Sequence, residues 1–497
     1  MRLRQAILSS AVQQNATLLL FFATGVVIAH LLTPRQAGSY SIAIAAAGTV
    51  ADLKDTALGS YVVSSPKLDD SLLSAAFGLS LTIAGCLTIG LFGLSFALTS
   101  FYSDEALGHS LRILAFAQLC PAVAFPATMR LMRAMRFGAL LIVGLVAAGG
   151  QSAVSITLAA LGYGADALAW GYFASAVITA VMTIAYKPDA LRLAPTLAGS
   201  RRLLAFGGWT SATLLVGSAT LSGPELMIGR AVGLANAALF SRAQNLVSFV
   251  RNGHVLGMTK PLLPNLGERE SRGVDLAPIY GSFVETMTGL AWPVYALLAI
   301  WAEPLVRTIY GEAWRATGAM MIPIAIAHAV TLTAGPYYDV LIVKRRQRLL
   351  FACEAAVCVF TIMMLGIGLT LGIEAAIWTL PISGLFFAAC YLAVLRSVVG
   401  YDPGRLFKAW AKSLAATLVV VPVPLVLRHV LTEGPTEILF GFTASGAISM
   451  ATWVVALTLV RHELSVHVRG LIEDLSRSLG ISAYPRYLPQ PSETDRR

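Results

Sequence analysis

The chain reads as an all-α integral membrane protein with about fourteen transmembrane helices: two pseudo-symmetric six-helix lobes plus two C-terminal helices. Three observations lead there. Of its 497 residues, 57% are hydrophobic and only 12% are charged, with mean hydropathy +0.73. A soluble chain carries about 25% charged residues. Apolar windows of about 20 residues recur from end to end, each long enough to cross a hydrocarbon core about 30 Å thick. The chain also repeats itself. Shifted by 200 positions, Ile28-Ala29-His30 falls on Ile228-Gly229-Arg230, Ala37 on Ala237, Tyr40 on Phe240, Ser41 on Ser241, Ala43 on Ala243 and Val50 on Val250.

The expected spans lie at about 11–32, 37–62, 72–99, 107–130, 138–160, 165–186, 207–230, 233–257, 279–302, 317–341, 348–371, 374–395, 407–428 and 438–460. Their interiors must be helical, because the core holds no water to satisfy open backbone groups. Assigning alternate connections to two sides gathers most Lys and Arg on one of them, including Arg130, Arg133, Arg136, Lys187, Arg192, Lys344, Arg345, Arg346 and Arg405. The positive-inside rule makes that side cytoplasmic, with both termini there. Arg2 and Arg4 precede the first span like a signal peptide's basic start, but no small-residue cleavage site follows, so a retained anchor is expected. Cys86, Cys120, Cys353, Cys358 and Cys390 all sit in apolar spans, as small buried hydrophobes and not a disulfide framework.

The repeat sets the domain boundaries. Phe101-Tyr102-Ser103-Asp104 matches Ile309-Tyr310-Gly311-Glu312 at an offset of 208, and both copies place prolines in the next span, Pro121 and Pro126 against Pro323 and Pro336. An offset of six helices preserves orientation, so the axis relating the copies runs along the membrane normal. The expected units are a lobe at 1–186, a cytoplasmic connection at 187–206, a second lobe at 207–396, two further spans at 397–460, and a cytoplasmic tail at 461–497. In the tail, Leu464, Val468, Leu471, Leu475 and Leu479 share one helical face, as in a helix lying on the inner leaflet.

Charges inside spans point to function, since each costs about 2.5–3.5 kcal/mol to insert. Arg242 lies roughly 13 Å below the end of its span, at about 1.5 Å per residue. A guanidinium there suits a pyrophosphate or acidic sugar in a wet path; the competing reading is a structural pair with Glu225. Arg230, Arg251 and His30 are further candidates for binding the same anion. On a straight helix Arg251 points away from Arg242 and shares a face with Gln244 and His254. Glu225 follows Gly223-Pro224, where proline breaks the backbone ladder. It is a candidate proton or sodium site, as are Asp52 and Asp55. Asp52-Leu53-Lys54-Asp55 corresponds to Asn252-Gly253-His254-Val255, so Asp52 and Asp55 with Arg251 and His254 form a candidate cytoplasmic gate. His328 reads as a packing residue, Tyr337 and Tyr338 as an interfacial belt with Asp339 a solvated end, and Trp292, Trp301 and Trp314 as headgroup-level anchors.

Three segments resemble a known family. Leu31-Leu32-Thr33-Pro34-Arg35-Gln36-Ala37-Gly38-Ser39-Tyr40 resembles the junction between the first two helices of Wzx-type polysaccharide flippases. The run from Pro304 to Trp314 resembles their segment after helix nine, and Phe240-Ser241-Arg242-Ala243 through Pro261-Leu262-Leu263-Pro264 their eighth helix and its exit. The likeness covers the first ten spans by motif and the last four by hydropathy. It implies a non-enzymatic flippase of the multidrug/oligosaccharidyl-lipid/polysaccharide exporter superfamily. The implied cargo is an undecaprenyl-pyrophosphate-linked oligosaccharide crossing the inner membrane for exopolysaccharide, capsule or O-antigen synthesis. The implied drive is an ion gradient with no cofactor, and the implied partners are polymerase and export machinery. The competing classes are an organic-cation exporter, a peptidoglycan-precursor flippase, and a membrane-embedded polymerase or transferase. The last would need an acid–base cluster or a large outer loop, and neither is seen in the sequence.

Overall fold

A computed structural model describes residues 2–64, 69–198, 200–250, 262–431 and 434–465, together with 468 and 470. Within these, the side chains of 2–15, 49–61, 63–64, 191, 200–211, 250 and 262–265 are not described. The described residues are helical, with no strand among them.

The first copy holds α1 (Arg2–Leu31), α2 (Pro34–Ser64), α3 (Asp70–Tyr102), α4 (Glu105–Ala117), α5 (Leu119–Arg133), α6 (Phe137–Ala160) and α7 (Ala165–Tyr186). The turn from α1 to α2 is a capping box. Gln36 N–H donates to Thr33 Oγ1 at 3.4 Å while Thr33 N–H donates to Gln36 Oε1 at 3.0 Å, and Pro34 starts the helix where its missing N–H costs nothing. α4 and α5 divide one expected span at Gln118, because Pro121 has no N–H to offer the Ala117 carbonyl.

The second copy holds α8 (Ser200–Val232), α9 (Leu234–Val250), the short α10 (Leu262–Ser271), α11 (Ala277–Tyr310), α12 (Arg315–Thr331), α13 (Tyr337–Val343), α14 (Gln347–Leu371) and α15 (Ile373–Val399). Gly233 at φ 95° turns α8 into α9, and Gly335 at φ 58° followed by Pro336 separates α12 from α13. The last elements are α16 (Pro403–Val420), α17 (Pro422–Val430) and α18 (Pro435–Leu459).

Ten helices or helix pairs among the described residues are long and apolar enough to cross a membrane. The other four expected spans overlap α1, α2, α8 and α9, which are not among the ten; α1 carries a shorter apolar stretch, Ala16–Leu31, and the expected span at 233–257 runs beyond the described residues of α9. One face of the bundle carries the basic connections around Arg136, Lys187, Arg345 and Arg405, and is called the basic face; the other carries the α1–α2 and α8–α9 turns.

Helix pairings recur between the copies. α1 packs on α6 as α8 packs on α14, α6 on α7 as α14 on α15, α2 on α4 as α9 on α12, and α4 on α7 as α12 on α15. The two sets meet where α2 crosses α8 and α9. Small residues allow that approach: a Cβ at Gly38 would overlap the Leu234 carbonyl, and one at Gly229 would run into the Ile42 side chain. The largest buried apolar cluster lies here, joining Ala29, Ala37 and Ile42 of the first set to Ile228, Ala237, Phe240 and Trp314 of the second.

The tryptophans depart from the sequence expectation. Trp301 and Trp314 are 0% and 1% exposed. Their indole N–H groups donate to Ser445 Oγ at 3.1 Å and Ala29 O at 3.0 Å, and Trp292 donates to Ala329 O at 2.9 Å. Each indole finds a buried acceptor on another helix, so its large ring joins helices instead of marking the headgroup level.

α16 and α18 pack on the outside of α11. Their attachment ends in a polar cluster. Buried Glu285 of α11 accepts from Lys412 Nζ at 3.2 Å and from the Glu463 N–H at 2.9 Å. His462 Nδ1 accepts the Leu464 N–H at 3.2 Å, which leaves Nε2 to donate to Ser413 Oγ at 3.1 Å. Leu464 and Val468 continue into the α16–α18 cluster; the rest of the expected amphipathic helix lies outside the described residues.

Two outcomes follow. Gly38→Ala is expected to lower the unfolding midpoint of the purified protein, because overpacking against backbone costs about 1–3 kcal/mol. Gly90→Ala, whose Cβ meets nothing within 4 Å, is expected to raise it slightly; equal shifts would contradict the close contact. Burial holds His462 below the ordinary imidazole pKa, with Glu285 opposing and Lys412 assisting. The unfolded chain then takes up a proton that the fold refuses, so stability should fall as pH drops below about 6.5. His462→Gln should flatten that decline in a melting series across pH.

Candidate functional site

The titratable residues nearest the meeting of the two sets occupy three places. The first is around Arg242, on α9, eight residues below the helix start. Its guanidinium carbon stands 5.0 Å from the Tyr310 ring centre and 5.0 Å from that of Trp314. The Tyr310 hydroxyl accepts a hydrogen bond from it, and its Nη1 lies so close to α1 that a Cβ on Gly25 would meet it at 2.8 Å. Arg242 reaches up its own helix to do this, as long cations do. It forms no ion pair among the described residues, and Glu225 is not its partner. Beside it, Trp314 Nε1 donates to Ala29 O, and His30 Nε2 lies 3.1 Å from Ile309 O. His30 thus joins α1 to α11 in the same contact between the sets.

The second is Glu225, on α8 directly after Pro224. It sits within hydrogen-bonding reach of the Ser41 and Ser241 hydroxyls, the pair related by the 200-residue repeat. Its Oε1 is buried without a partner. No cation pairs with it among the described residues, so it does not serve to neutralise Arg230. Next to it, the Tyr102 hydroxyl donates to Leu226 O at 2.8 Å, tying α3 to α8.

The third is Arg230, at the far end of α8. Its guanidinium carbon lies 4.8 Å from the Phe101 ring centre, away from the aromatic pair that holds Arg242. The sequence candidates for one anion site are therefore divided: Arg242 and His30 on the α1–α11 contact, Arg230 against α3. Asp52 and Asp55 fall on α2 with side chains not described, and Arg251 and His254 lie outside the described residues, so the expected gate does too.

A cavity of about 760 Å³ lies within the second set, between α8, α9, α12, α13, α14 and α15. Glu354, Asp339, His328, Gln244 and Tyr337 line it. The Tyr391 hydroxyl donates to Glu354 Oε1 at 2.7 Å, and Gln244 Nε2 lies 3.4 Å from His328 Nε2. Tyr337 packs on Tyr391 with ring centres 4.1 Å apart. This corrects two expectations: the Gly335-Pro336 break turns Tyr337 and Tyr338, and with them Asp339, into the cavity instead of out to the interface. His328 is the packing and hydrogen-bonding residue expected, beside Gln244 and stacked on Tyr295 with ring centres 6.2 Å apart. Glu354 was passed over, although a carboxylate inside the span at 348–371 is itself a signal.

Comparison with known proteins agrees with this architecture. Succinoglycan biosynthesis transport protein ExoT of Rhizobium meliloti (strain 1021) is 22% identical over 491 residues, covering 96% of each chain. Among solved structures, the lipid II flippase MurJ in an inward closed conformation superposes with a TM-score of 0.72 at 13% identity, covering 94% of this chain and 99% of that one. A MOP superfamily transporter from Pyrococcus furiosus gives 0.58 at 16% identity, covering 80% and 95%. The family model for polysaccharide biosynthesis proteins matches residues 27–318, more than half the chain, and the protein is a multi-pass membrane member of that family with the fold of the MOP transporters.

Proposed function

We propose that the protein is a flippase that carries a lipid-linked oligosaccharide repeat unit, with a pyrophosphate in its head, across the inner membrane by alternating access. The basic face is cytoplasmic, and residues 1–186 and 207–396 are the two lobes that rock against each other. The observation that carries this reading is Arg242, a charged group at the meeting of the lobes held by aromatic rings and one hydroxyl and, among the described residues, by no acid. Family membership and the full-length likeness to a succinoglycan transport protein support the cargo class.

In this mechanism the closed outer contact is the resting lock. Arg242 stacked on Tyr310 and Trp314 stiffens the junction where Trp314 and His30 hold α1 against α11. An arriving pyrophosphate or acidic sugar offers the guanidinium oxygens in place of π faces. A charge-assisted, forked hydrogen bond outweighs a cation–π contact, so cargo pulls Arg242 off the rings and loosens the lock. The ligand shifts the equilibrium because it favours the released state.

Glu225 is the coupling group. It enters the closed seam as a neutral acid between Ser41 and Ser241, and loses its proton when the lobes part and water reaches it. A proton gradient then biases which way the path faces.

The lining of the second-set cavity favours one alternative. Two carboxylates with tyrosine and phenylalanine rings would also suit an organic cation, as in a drug exporter. Deleting the gene separates the two readings. Loss of polymer with lipid-linked repeats retained inside fits the flippase; unchanged polymer with new sensitivity to cationic drugs fits the exporter.

Arg242→Ala should reduce export by roughly 10- to 100-fold, the equivalent of about 1.5–3 kcal/mol for a charged hydrogen bond. Arg242→Lys should fall between, and wild-type export in Arg242→Ala would remove the central claim. Glu225→Gln should transport slowly and without response to a protonophore, while Glu225→Asp should keep the response. A Gln variant as protonophore-sensitive as wild type would rule Glu225 out.

A further inference from the structure

On the face opposite the basic one, a recess of about 400 Å³ opens between the α1–α2 turn, the end of α3 and the α8–α9 turn. Arg35 comes from the first of these, Ser103 from the second, and Gly229, Arg230 and Gly233 from the third. We propose that this recess is a binding site for a phosphoryl anion, separate from the place held by Arg242.

Two guanidinium groups from different helix sets line it, and no acidic side chain is among its lining residues. Arg35 and Arg230 are both exposed, and neither forms an ion pair among the described residues. Asp104, next along the chain from Ser103, accepts the Leu107 N–H at 2.8 Å and pairs with neither arginine among the described residues. The Phe101 ring covers one face of the Arg230 guanidinium at 4.8 Å, which orients the fork and leaves its edge to a ligand. Gly233, at φ 95°, starts α9 at the wall of the recess. The first-turn N–H groups of that 17-residue helix have no intrahelical acceptor. At Gly233 a Cβ would meet nothing within 4 Å, so oxygens can come near the backbone there.

Two planar forks and a helix start converging from different directions match an oxygen-rich tetrahedral group of double charge better than a flat carboxylate. Two sources carry that chemistry: the pyrophosphate head of a carrier lipid that has reached this face, and the phosphate of a bilayer lipid. Assigning the site to the carrier rests on the proposed flippase function; the binding itself does not.

Calorimetric titration of the purified full-length protein in detergent with inorganic pyrophosphate tests the site without any transport step. Saturable binding is expected, weakening with salt. It should fall at least tenfold in Arg35→Ala and in Arg230→Ala, and stay within twofold of wild type in Arg272→Ala, an exposed arginine just past the end of α10 that is paired with Glu268. Should the alanine variants not fold, Arg35→Lys/Arg230→Lys keeps the charge without the planar fork, and severalfold weaker binding is expected. Dioctanoyl phosphatidylglycerol as competitor identifies the source. Failure to displace pyrophosphate points to the carrier head, and displacement at lower concentration than pyrophosphate itself points to a bilayer lipid. Affinity unchanged in both the alanine and the lysine variants overturns the site. That result would leave the flippase reading standing, just as failure of the gene-deletion test would leave this binding standing.

Discussion

Everything on the non-basic face depends on how closely α2 can lie against α8 and α9. Helix association inside a bilayer gains little from the hydrophobic effect, because lipid tails are as apolar as leucine, so contact area and backbone approach must supply the attraction. Gly38 against Leu234 and Gly229 against Ile42 provide that approach. Once the backbones are this near, Glu225 is held between Ser41 and Ser241, and the end of α1 is brought to Tyr310 and Trp314. The small residues are therefore a condition for the polar ones: without the close crossing, neither Arg242 nor Glu225 has its neighbours.

The arrangement also explains how a charged residue is tolerated inside a span. Arg242 has no counterion among the described residues, yet its plane is covered by two rings and one donor is taken by a phenol. Aromatic faces offset part of the desolvation cost without competing for the N–H fork in the way a carboxylate would. An acid partner would hold the guanidinium too firmly for cargo to release it. In the proposed mechanism, a cation–π box is weak enough to be exchanged and strong enough to set a resting position, as a lock that opens when loaded requires.

The two copies have diverged in chemistry while keeping their helix pairings. The second encloses a cavity with Glu354, Asp339, His328 and Gln244 on its walls, reached because Gly335-Pro336 breaks the span and turns its continuation inward. The pair α16 and α18 sits outside this, fastened to α11 by the Glu285–Lys412 and His462–Ser413 contacts. α11 consequently carries Tyr310, the ring beneath Arg242, at one end and the attachment of the last two helices towards the other.

Composition and hydropathy were enough to determine the membrane class, the helical fold and most element positions. These depend on hydropathy and on local chemistry such as the Thr33-Gln36 capping box, which are written along the chain. The family was legible as well, in the Leu31–Tyr40 and Pro304–Trp314 runs. Partners were not. Arg242 faces aromatic rings, Glu225 a pair of serines and Arg230 a phenylalanine, and each contact joins residues far apart in sequence. The buried tryptophans and the cavity around Glu354 were hidden for the same reason. Inside a bilayer an apolar ring looks alike in sequence whether it meets lipid or another helix, and only the packing of one helix set on the other decides which.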